Sequence, residues 1–296
     1  MLLTLVILLT SVSSFADNTE NANSKVLLFL KESGIQINQS AQIIKDENLK
    51  YHAFAKKDEN VILLNSALND IQTKINLVHE YIHKYRYQIG ANDEIWFSEG
   101  LAQMGEFMYS GWPNNYNTIV KDKGYLLISN DQNDFKPNGY GYPSSFLLFH
   151  YLYTHFGEKA FLNQVIHSSK TGWNNILESI EILKSKKIII KDDFVVTKEN
   201  IIRHFAVALA LNDSYSAKYG LFSTHFRLEK AGLISDANLV KMNQPLPAGS
   251  LLIYYSDKYS NQCGDCEIYG VKNVDKVQIQ KATGPDQGHM YIYIRF

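Results

Sequence analysis

The chain is short of cysteine, of proline and of any strong excess of charge. It has 296 residues, with 2 Cys, 6 Pro and a net charge of −1 from 29 Lys and Arg against 30 Asp and Glu. This near-neutral balance, without a polybasic run, argues against a nucleic-acid-binding protein. The few prolines and the 17 glycines follow no period, which excludes collagen-like and repeat architectures. With 45% hydrophobic residues, the chain can bury one large core or two smaller ones.

Long apolar runs are also missing, except at the N-terminus. Leu2–Leu9 is almost wholly apolar and leads to Ser14-Phe15-Ala16, which has small residues where signal peptidase requires them. This pattern predicts a signal peptide over residues 1–16 and a secreted or periplasmic protein. An uncleaved anchor or an upstream start codon stays open, because no Lys or Arg follows Met1. No later run reaches the roughly 20 apolar residues that span a bilayer, so we expect no membrane span once the signal is removed.

The two cysteines, Cys263 and Cys266, stand in a Cys-Gly-Asp-Cys segment between strand-like runs. The oxidising compartment that a signal peptide implies favours a small disulfide-closed turn here. Free thiols and a metal or redox site remain alternatives. A redox dithiol normally opens a helix, where its thiol pKa is lowered, and a zinc knuckle needs more ligands than this segment offers.

The hydrophobic pattern divides the mature chain into several parts. Residues 17–24 are polar and predict a flexible leader. Residues 25–243 predict one domain that is mainly helical after a small N-terminal sheet. A linker over 244–249 precedes a small β module over 250–296. The predicted fold class is therefore α+β.

Individual elements can be placed within this outline. Predicted helices cover residues 25–33, 66–88, 98–109, 144–156, 158–168, 173–183 and 198–211. Val61–Leu64 is the clearest strand before the helices, and four strands are predicted in the β module, over 251–255, 267–271, 277–281 and 290–296. Gly111–Gly141 predicts a long loop, which in a compact domain is more often functional than not.

One helix carries the segment His79-Glu80-Tyr81-Ile82-His83. A spacing of four residues puts both imidazoles on one helix face, one turn apart, where a single tetrahedral Zn²⁺ can bind both. Glu80 then flanks the metal, where its carboxylate can accept a proton from the attacking water instead of ligating. The sequence therefore predicts one zinc ion per chain, with His79 and His83 as ligands and Glu80 as general base.

A third protein ligand is needed to hold a catalytic zinc while leaving one position open. Glu99 meets this need early in the next helix, where Gly100 and Ala102 are small enough for helices to approach closely. Glu106, two turns later on the same face, and Glu94, before the helix, are the alternative ligands. Glu99 is otherwise simply a favourable first-turn acid.

Together these motifs resemble the gluzincin zinc metallopeptidases, especially the aminopeptidase-like peptidase MA group. The resemblance rests on His-Glu-x-x-His followed by Trp-x-x-Glu-Gly-x-Ala over Trp96–Ala102, and it covers roughly residues 60–170. It extends through Tyr142–Leu152, which is similar to the family segment in which a tyrosine opens a helix. The resemblance implies a thermolysin-like fold and a catalytic role for Tyr142, whose hydroxyl would hydrogen-bond the oxyanion. Tyr140 is the alternative if the register slips, and Tyr142 is otherwise a packing residue.

The same resemblance implies hydrolysis of a peptide or protein substrate. It also implies a substrate-binding edge strand just before the zinc helix, a role that Val61–Asn65 could fill by β-augmentation. The chain lacks the Gly-x-Met-Glu-Asn motif that grips a free amine in aminopeptidases, which favours an endopeptidase or a narrow-specificity peptidase. The alternatives are a non-catalytic exported zinc-binding or surface interaction protein and a non-peptide zinc hydrolase. The oligomeric state stays open.

Overall fold

The fold is α+β, with a small three-stranded sheet, a series of helices and a five-stranded sheet. The computed structural model describes residues 19–113, 125–127, 130–135, 141–188, 195–211, 250–254, 267–272, 278–281 and 290–294. The predicted signal peptide, the predicted linker over 244–249, Tyr140 and both cysteines lie outside these residues. Within the described part of the chain, no helix is long and apolar enough to cross a lipid bilayer.

The secondary structure elements are numbered here in chain order. The helices are α1 (19–32), α2 (Asp70–Gln88), α3 (Ile95–Ser110), a 3₁₀ helix (Gln132–Phe135), α4 (Gly141–His155), α5 (Lys159–His167), α6 (Gly172–Ser185) and α7 (Lys198–Leu211). The strands are β1 (Gln42–Asp46), β2 (Ala53–Ala55), β3 (Val61–Asn65), β4 (Tyr125–Leu127), β5 (Ser250–Tyr254), β6 (Glu267–Lys272), β7 (Gln278–Lys281) and β8 (Met290–Ile294).

These elements divide between two compact units, where the sequence predicted one domain over 25–243. Of the described residues, the first unit contains 19–92 and 101–113, and the second contains 93–100 and those from 125 onward. Helix α3 is continuous, but the boundary between the units falls within it. Its residues up to Gly100 belong to the second unit, and its residues from Leu101 belong to the first. The predicted boundary at 244–249 does not separate the two units.

The first unit is built on the sheet with strand order β1-β3-β2. Strand β3 pairs in parallel with β1 and antiparallel with β2. Its side chains alternate, and Ile62 and Leu64 are fully buried while their neighbours are partly exposed. Helix α2, which carries the His-Glu-x-x-His segment, packs against β2 and β3 of this sheet.

Helix α1 corrects the prediction of a flexible leader over 17–24. Residues 19–24 are helical, and Ala22 and Val26, one turn apart, are buried. The side-chain oxygen of Asn23 accepts a hydrogen bond of 2.7 Å from the hydroxyl of Tyr81. The sequence did not predict this first part of the helix because only one residue in four faces the core, and the residues between are polar.

The second unit contains a sheet with strand order β4-β5-β8-β6-β7, in which every pair is antiparallel. The four predicted C-terminal strands are confirmed as β5 to β8, with ends shifted by one or two residues. Strand β4 comes from the segment predicted as a long loop, and it pairs with β5 with Leu126 opposite Leu251. The β sheet is therefore not formed by residues 250–296 alone.

The predicted helices are confirmed, although several begin at other residues. Helix α2 begins at Asp70 instead of Ser66, because Asn69 forms a capping box with Gln72. Helix α4 begins at Gly141, so that Pro143 falls in its first turn, where a missing N–H costs nothing. Helix α2 ends before Gly90, whose φ of 75° suits glycine.

Candidate metal centre

Two histidines of α2 and one glutamate of α3 converge in the structure. His79, His83 and Glu99 each offer a ligand atom, and these three atoms lie within 4.8 Å of one another. The two imidazole rings are 4.8 Å apart between centroids and inclined at 72°, as their spacing of one helical turn dictates. Among the residues that the structure describes, this is the one group of at least three potential metal ligands. It is the set of ligands that the sequence predicts.

Close packing of α3 on α2 depends on a glycine. A Cβ atom at Gly105 would lie 3.0 Å from Cγ1 of Ile82 and 3.2 Å from Cγ1 of Val78. The close approach to α2 is therefore at Gly105, whereas the sequence suggested Gly100 together with Ala102. Gly100 instead faces α4, where an added Cβ would lie 2.5 Å from Cδ2 of Phe149.

Glu106 is a partner of one ligand and is absent from the ligand group. Its Oε1 lies 2.6 Å from Nδ1 of His79, and both side chains are nearly buried. A histidine whose Nδ1–H is held by a carboxylate presents Nε2 to a metal, and this arrangement is common around protein-bound zinc. The structure thus assigns different positions to Glu99 and Glu106, which the sequence left as alternatives.

The carboxylate of Glu80 is buried beside the histidines and tied to the sheet. Its Oε2 accepts a hydrogen bond of 2.6 Å from the backbone N–H of Ala55, the last residue of β2. The residue is only 6% exposed, and this bond helps to fix the direction of the carboxylate. Glu80 therefore joins the end of strand β2 to the helix that carries both histidine ligands.

A second contact fixes the turn that follows β2. The ammonium of Lys84 donates hydrogen bonds to the backbone oxygens of Lys56, at 3.0 Å, and of Glu59. Partial burial lowers the pKa of the Lys84 ammonium, and the nearby charges of Asp58 and Glu59 oppose this effect. The hairpin of β2 and β3 is thus held on α2 at two points, one turn apart.

The predicted substrate-binding strand, Val61–Asn65, is not an edge strand. It is β3, and it is hydrogen-bonded along both sides, to β1 and to β2. A strand paired on both sides cannot accept a peptide by β-augmentation, so this prediction is wrong. Within the described residues, β2 is the edge of this sheet that lies beside Glu80. With only three residues, Ala53-Phe54-Ala55, β2 is too short to give a strand pattern in the sequence.

Tyr142 lies in the first turn of α4, in the second unit. Its ring is half-buried and packs edge to face against Phe135, with centroids 5.2 Å apart. It is not a member of the ligand group. The prediction that Tyr142 opens a helix is confirmed, whereas its catalytic role remains a prediction.

Glu94, the other alternative ligand, is engaged in the second unit. The indole N–H of Trp96 donates a hydrogen bond of 2.6 Å to its Oε2. The carboxylate also lies against the start of α6, where a Cβ at Gly172 would be 2.5 Å from Oε2. A carboxylate at a helix N-terminus is favoured by the helix dipole. Glu94 therefore anchors the beginning of α3, the helix that carries Glu99.

Gln103 is a buried polar residue that sequence reasoning missed. It lies on α3 between Glu99 and Glu106, on the same helix face, and it is 2% exposed. Its Oε1 is buried without a hydrogen-bond partner, which ordinarily costs about 1–3 kcal/mol. Two imidazoles and one carboxylate are a common ligand set of catalytic zinc. The unsatisfied oxygen of Gln103, one helical turn after Glu99, suits a site that also binds a metal and its water. The residues present therefore fit a zinc ion.

Comparisons with known proteins give no assignment. No protein-family model matches the chain, and no curated protein sequence matches it. The case for a metal centre thus rests on the motif and its geometry.

Proposed function

We propose that the protein is a zinc-dependent metallopeptidase of the gluzincin type, exported from the cytoplasm, that hydrolyses bonds in peptides or proteins. The observation that carries the proposal is the convergence of His79, His83 and Glu99 from two successive helices. A pair of histidines one turn apart, with a glutamate from a following helix, is the ligand set of thermolysin-type peptidases. The α+β fold, with a sheet before the ligand helix, agrees with a thermolysin-like domain.

The proposed mechanism gives each nearby carboxylate a different task. Zinc, when bound, supplies Lewis-acid polarisation and lowers the pKa of a coordinated water. Glu99 completes the set of ligands, and Glu106 orients His79 through Nδ1. Glu80 accepts a proton from the attacking water on its carboxylate and delivers it to the leaving amine nitrogen. The hydrogen bond from Ala55 helps to orient this carboxylate.

Strand β2 is the proposed docking edge for the substrate. It lies at the edge of its sheet, and Ala55 is hydrogen-bonded to the general base. A peptide that adds to this edge would be extended, with its backbone held by the outward main-chain groups of β2 other than the N–H of Ala55, which Glu80 occupies. Phe54 is 51% exposed and is available to contact substrate side chains.

Tyr142 is the proposed donor to the oxyanion. Its position in the first turn of α4, with the ring steadied by Phe135, suits a hydroxyl that must be held in one place. Tyr140 remains the alternative. Transition-state stabilisation by such a donor typically contributes about 10²–10³-fold to kcat.

Two other functions compete with this proposal. A non-catalytic zinc-binding protein would need the three ligands, and it would use Glu80 only to join β2 to α2 and not as a proton acceptor. A hydrolase acting on a non-peptide bond could use the same ligands and the same base. The strand edge beside Glu80 favours an extended peptide over a compact substrate.

The proposal is tested by incubating the purified protein with a mixed peptide library and identifying the products by mass spectrometry. We expect cleavage that a chelator abolishes and added zinc restores, and cleavage by Glu80→Gln that is about 10²–10⁴-fold slower. Zinc binding without cleavage of any peptide would contradict the peptidase proposal.

A further inference from the structure

An aromatic ring extends the metal cluster on the surface of α2. Tyr87 lies one turn after His83, and the two rings are nearly parallel, with centroids 6.4 Å apart and planes inclined at 17°. This stacking follows from their spacing of four residues along the helix. The ring of Tyr87 is only half-buried, so it lies between a buried ligand and solvent.

A lysine lies over this ring. The ammonium of Lys57 is 5.7 Å from the centroid of Tyr87, at a distance typical of a cation–π contact. Lys57 belongs to the turn after β2, and Tyr87 belongs to α2. A series of two short contacts therefore connects the metal ligand His83 to a positive charge.

Lys57 has no carboxylate partner within the part of the chain that the structure describes. Its other contact is a hydrogen bond of 3.4 Å to the side-chain oxygen of Asn92, which is neutral. By contrast, the neighbouring Lys56 forms an ion pair of 3.0 Å with Glu59. Lys57 is also exposed. Its charge is therefore available to a ligand, whereas that of Lys56 is neutralised within the protein.

Lys57 lies close to where a docked substrate would pass. It follows Ala55, the last residue of β2, by two positions, and Ala55 is bound to Glu80. The distance from His83 to Tyr87 and the distance from Tyr87 to Lys57 together equal the length of about four residues of an extended peptide, which advances about 3.3 Å per residue. A charge on the substrate can reach Lys57 only if it lies near the cleaved bond.

We infer that Lys57, supported by the ring of Tyr87, forms a subsite for a carboxylate of the substrate. This inference rests on the proposed peptidase function and adds the substrate class. Peptides with Asp or Glu within about four residues of the cleaved bond are preferred over their amide counterparts. A free C-terminal carboxylate at the same distance offers the same chemistry, and the experiment separates the two sources.

The experiment compares matched peptides that differ only in one charge. In one series, the two peptides of each pair carry Glu or Gln at the same position, and the position moves from pair to pair around the cleaved bond. In a further pair, the peptides end in a C-terminal acid or in an amide. The proteins are wild type, Lys57→Glu and the control Lys50→Glu, which makes the same charge change at an exposed lysine before β2. We expect wild type and the control to favour the acidic peptide by about three- to fivefold in kcat/KM, and Lys57→Glu to favour the amide. The preference of wild type should shrink as salt is raised.

Binding without turnover separates this inference from the function on which it rests. The same peptides, labelled with fluorescein, are bound to Glu80→Gln and to Glu80→Gln/Lys57→Glu, and the affinity is measured by fluorescence anisotropy. If peptides are cleaved but the preference is unchanged by Lys57→Glu, the subsite is refuted and the peptidase function stands. If nothing is cleaved but acidic peptides bind more tightly through Lys57, the subsite stands and the peptidase function fails. Equal binding of acidic and amide peptides to both proteins refutes the subsite.

Discussion

The carboxylate of Glu106 and Nδ1 of His79 are 2.6 Å apart, and both side chains are nearly buried. This bond fixes which imidazole nitrogen can meet a metal and how the ring is turned. It also explains why α3 carries two glutamates on one face. Glu99 is placed to ligate, and Glu106 is placed to orient a ligand.

Replacing Glu106 by Gln should weaken zinc binding without abolishing it. Loss of such a carboxylate partner typically costs about 10–100-fold in metal affinity. The measurement is competition for zinc with a chromophoric chelator of known affinity. Glu47→Gln removes one negative charge from an exposed loop and is the matched control, with no expected change. Equal affinities of Glu106→Gln and the control would show that the bond to His79 has no role in metal binding.

Glu80→Gln should retain zinc and lose nearly all turnover. The amide oxygen can still accept the hydrogen bond from Ala55, so the local structure is preserved while the proton acceptor is removed. We expect kcat to fall by about 10²–10⁴-fold with little change in metal content. Metal content and kcat are measured on the same preparation. Loss of zinc in parallel with activity would mean that Glu80 is a ligand and not the base.

Tyr142→Phe tests the proposed oxyanion donor. Removal of one donor should lower kcat by about 10²-fold with only a modest change in KM, because the lost interaction forms in the transition state. Packing against Phe135 should survive, since the ring is retained. Tyr140→Phe is the comparison variant. If it lowers kcat and Tyr142→Phe does not, the register of the family resemblance is wrong.

Gly100→Ala should destabilise the protein, although this change in a helix is normally favourable. The added methyl group would lie 2.5 Å from Cδ2 of Phe149 and 3.0 Å from the backbone oxygen of Ser145. Overpacking of this kind costs about 1–3 kcal/mol, which thermal unfolding can measure. In a protein that already carries Phe149→Leu, the clash is relieved, so adding Gly100→Ala should cost less stability than it does in wild type. Additive effects of the two substitutions would contradict the close contact.

The ligand group could be predicted from the sequence because local helix geometry determines most of it. Two histidines at a spacing of four residues must share a helix face. Glu99 followed from the need for a third ligand on the next helix. The sequence favoured Glu99 but kept Glu106 as the alternative, because both lie on one face of α3 and only the packing of α3 shows which carboxylate joins the histidines.

The sheet was harder to predict because its pairing is not local. The apolar run of Val61–Asn65 predicts a strand, but it does not indicate whether that strand lies at the edge or in the centre of its sheet. The answer depends on β2, a three-residue strand that only its pairing with β3 reveals. The same limit applies to β4, which is visible only through its pairing with β5.

The most direct test of the account is the zinc content per chain of the purified protein. It is measured by elemental mass spectrometry for wild type and Glu99→Ala in parallel. Glu47→Ala, at an exposed loop position, is the matched control, and circular dichroism checks that all three proteins are folded. The account predicts one zinc per chain in wild type and in the control, and its loss in Glu99→Ala. Wild-type protein that binds no zinc, or a folded Glu99→Ala that binds it as well as wild type does, would contradict the account.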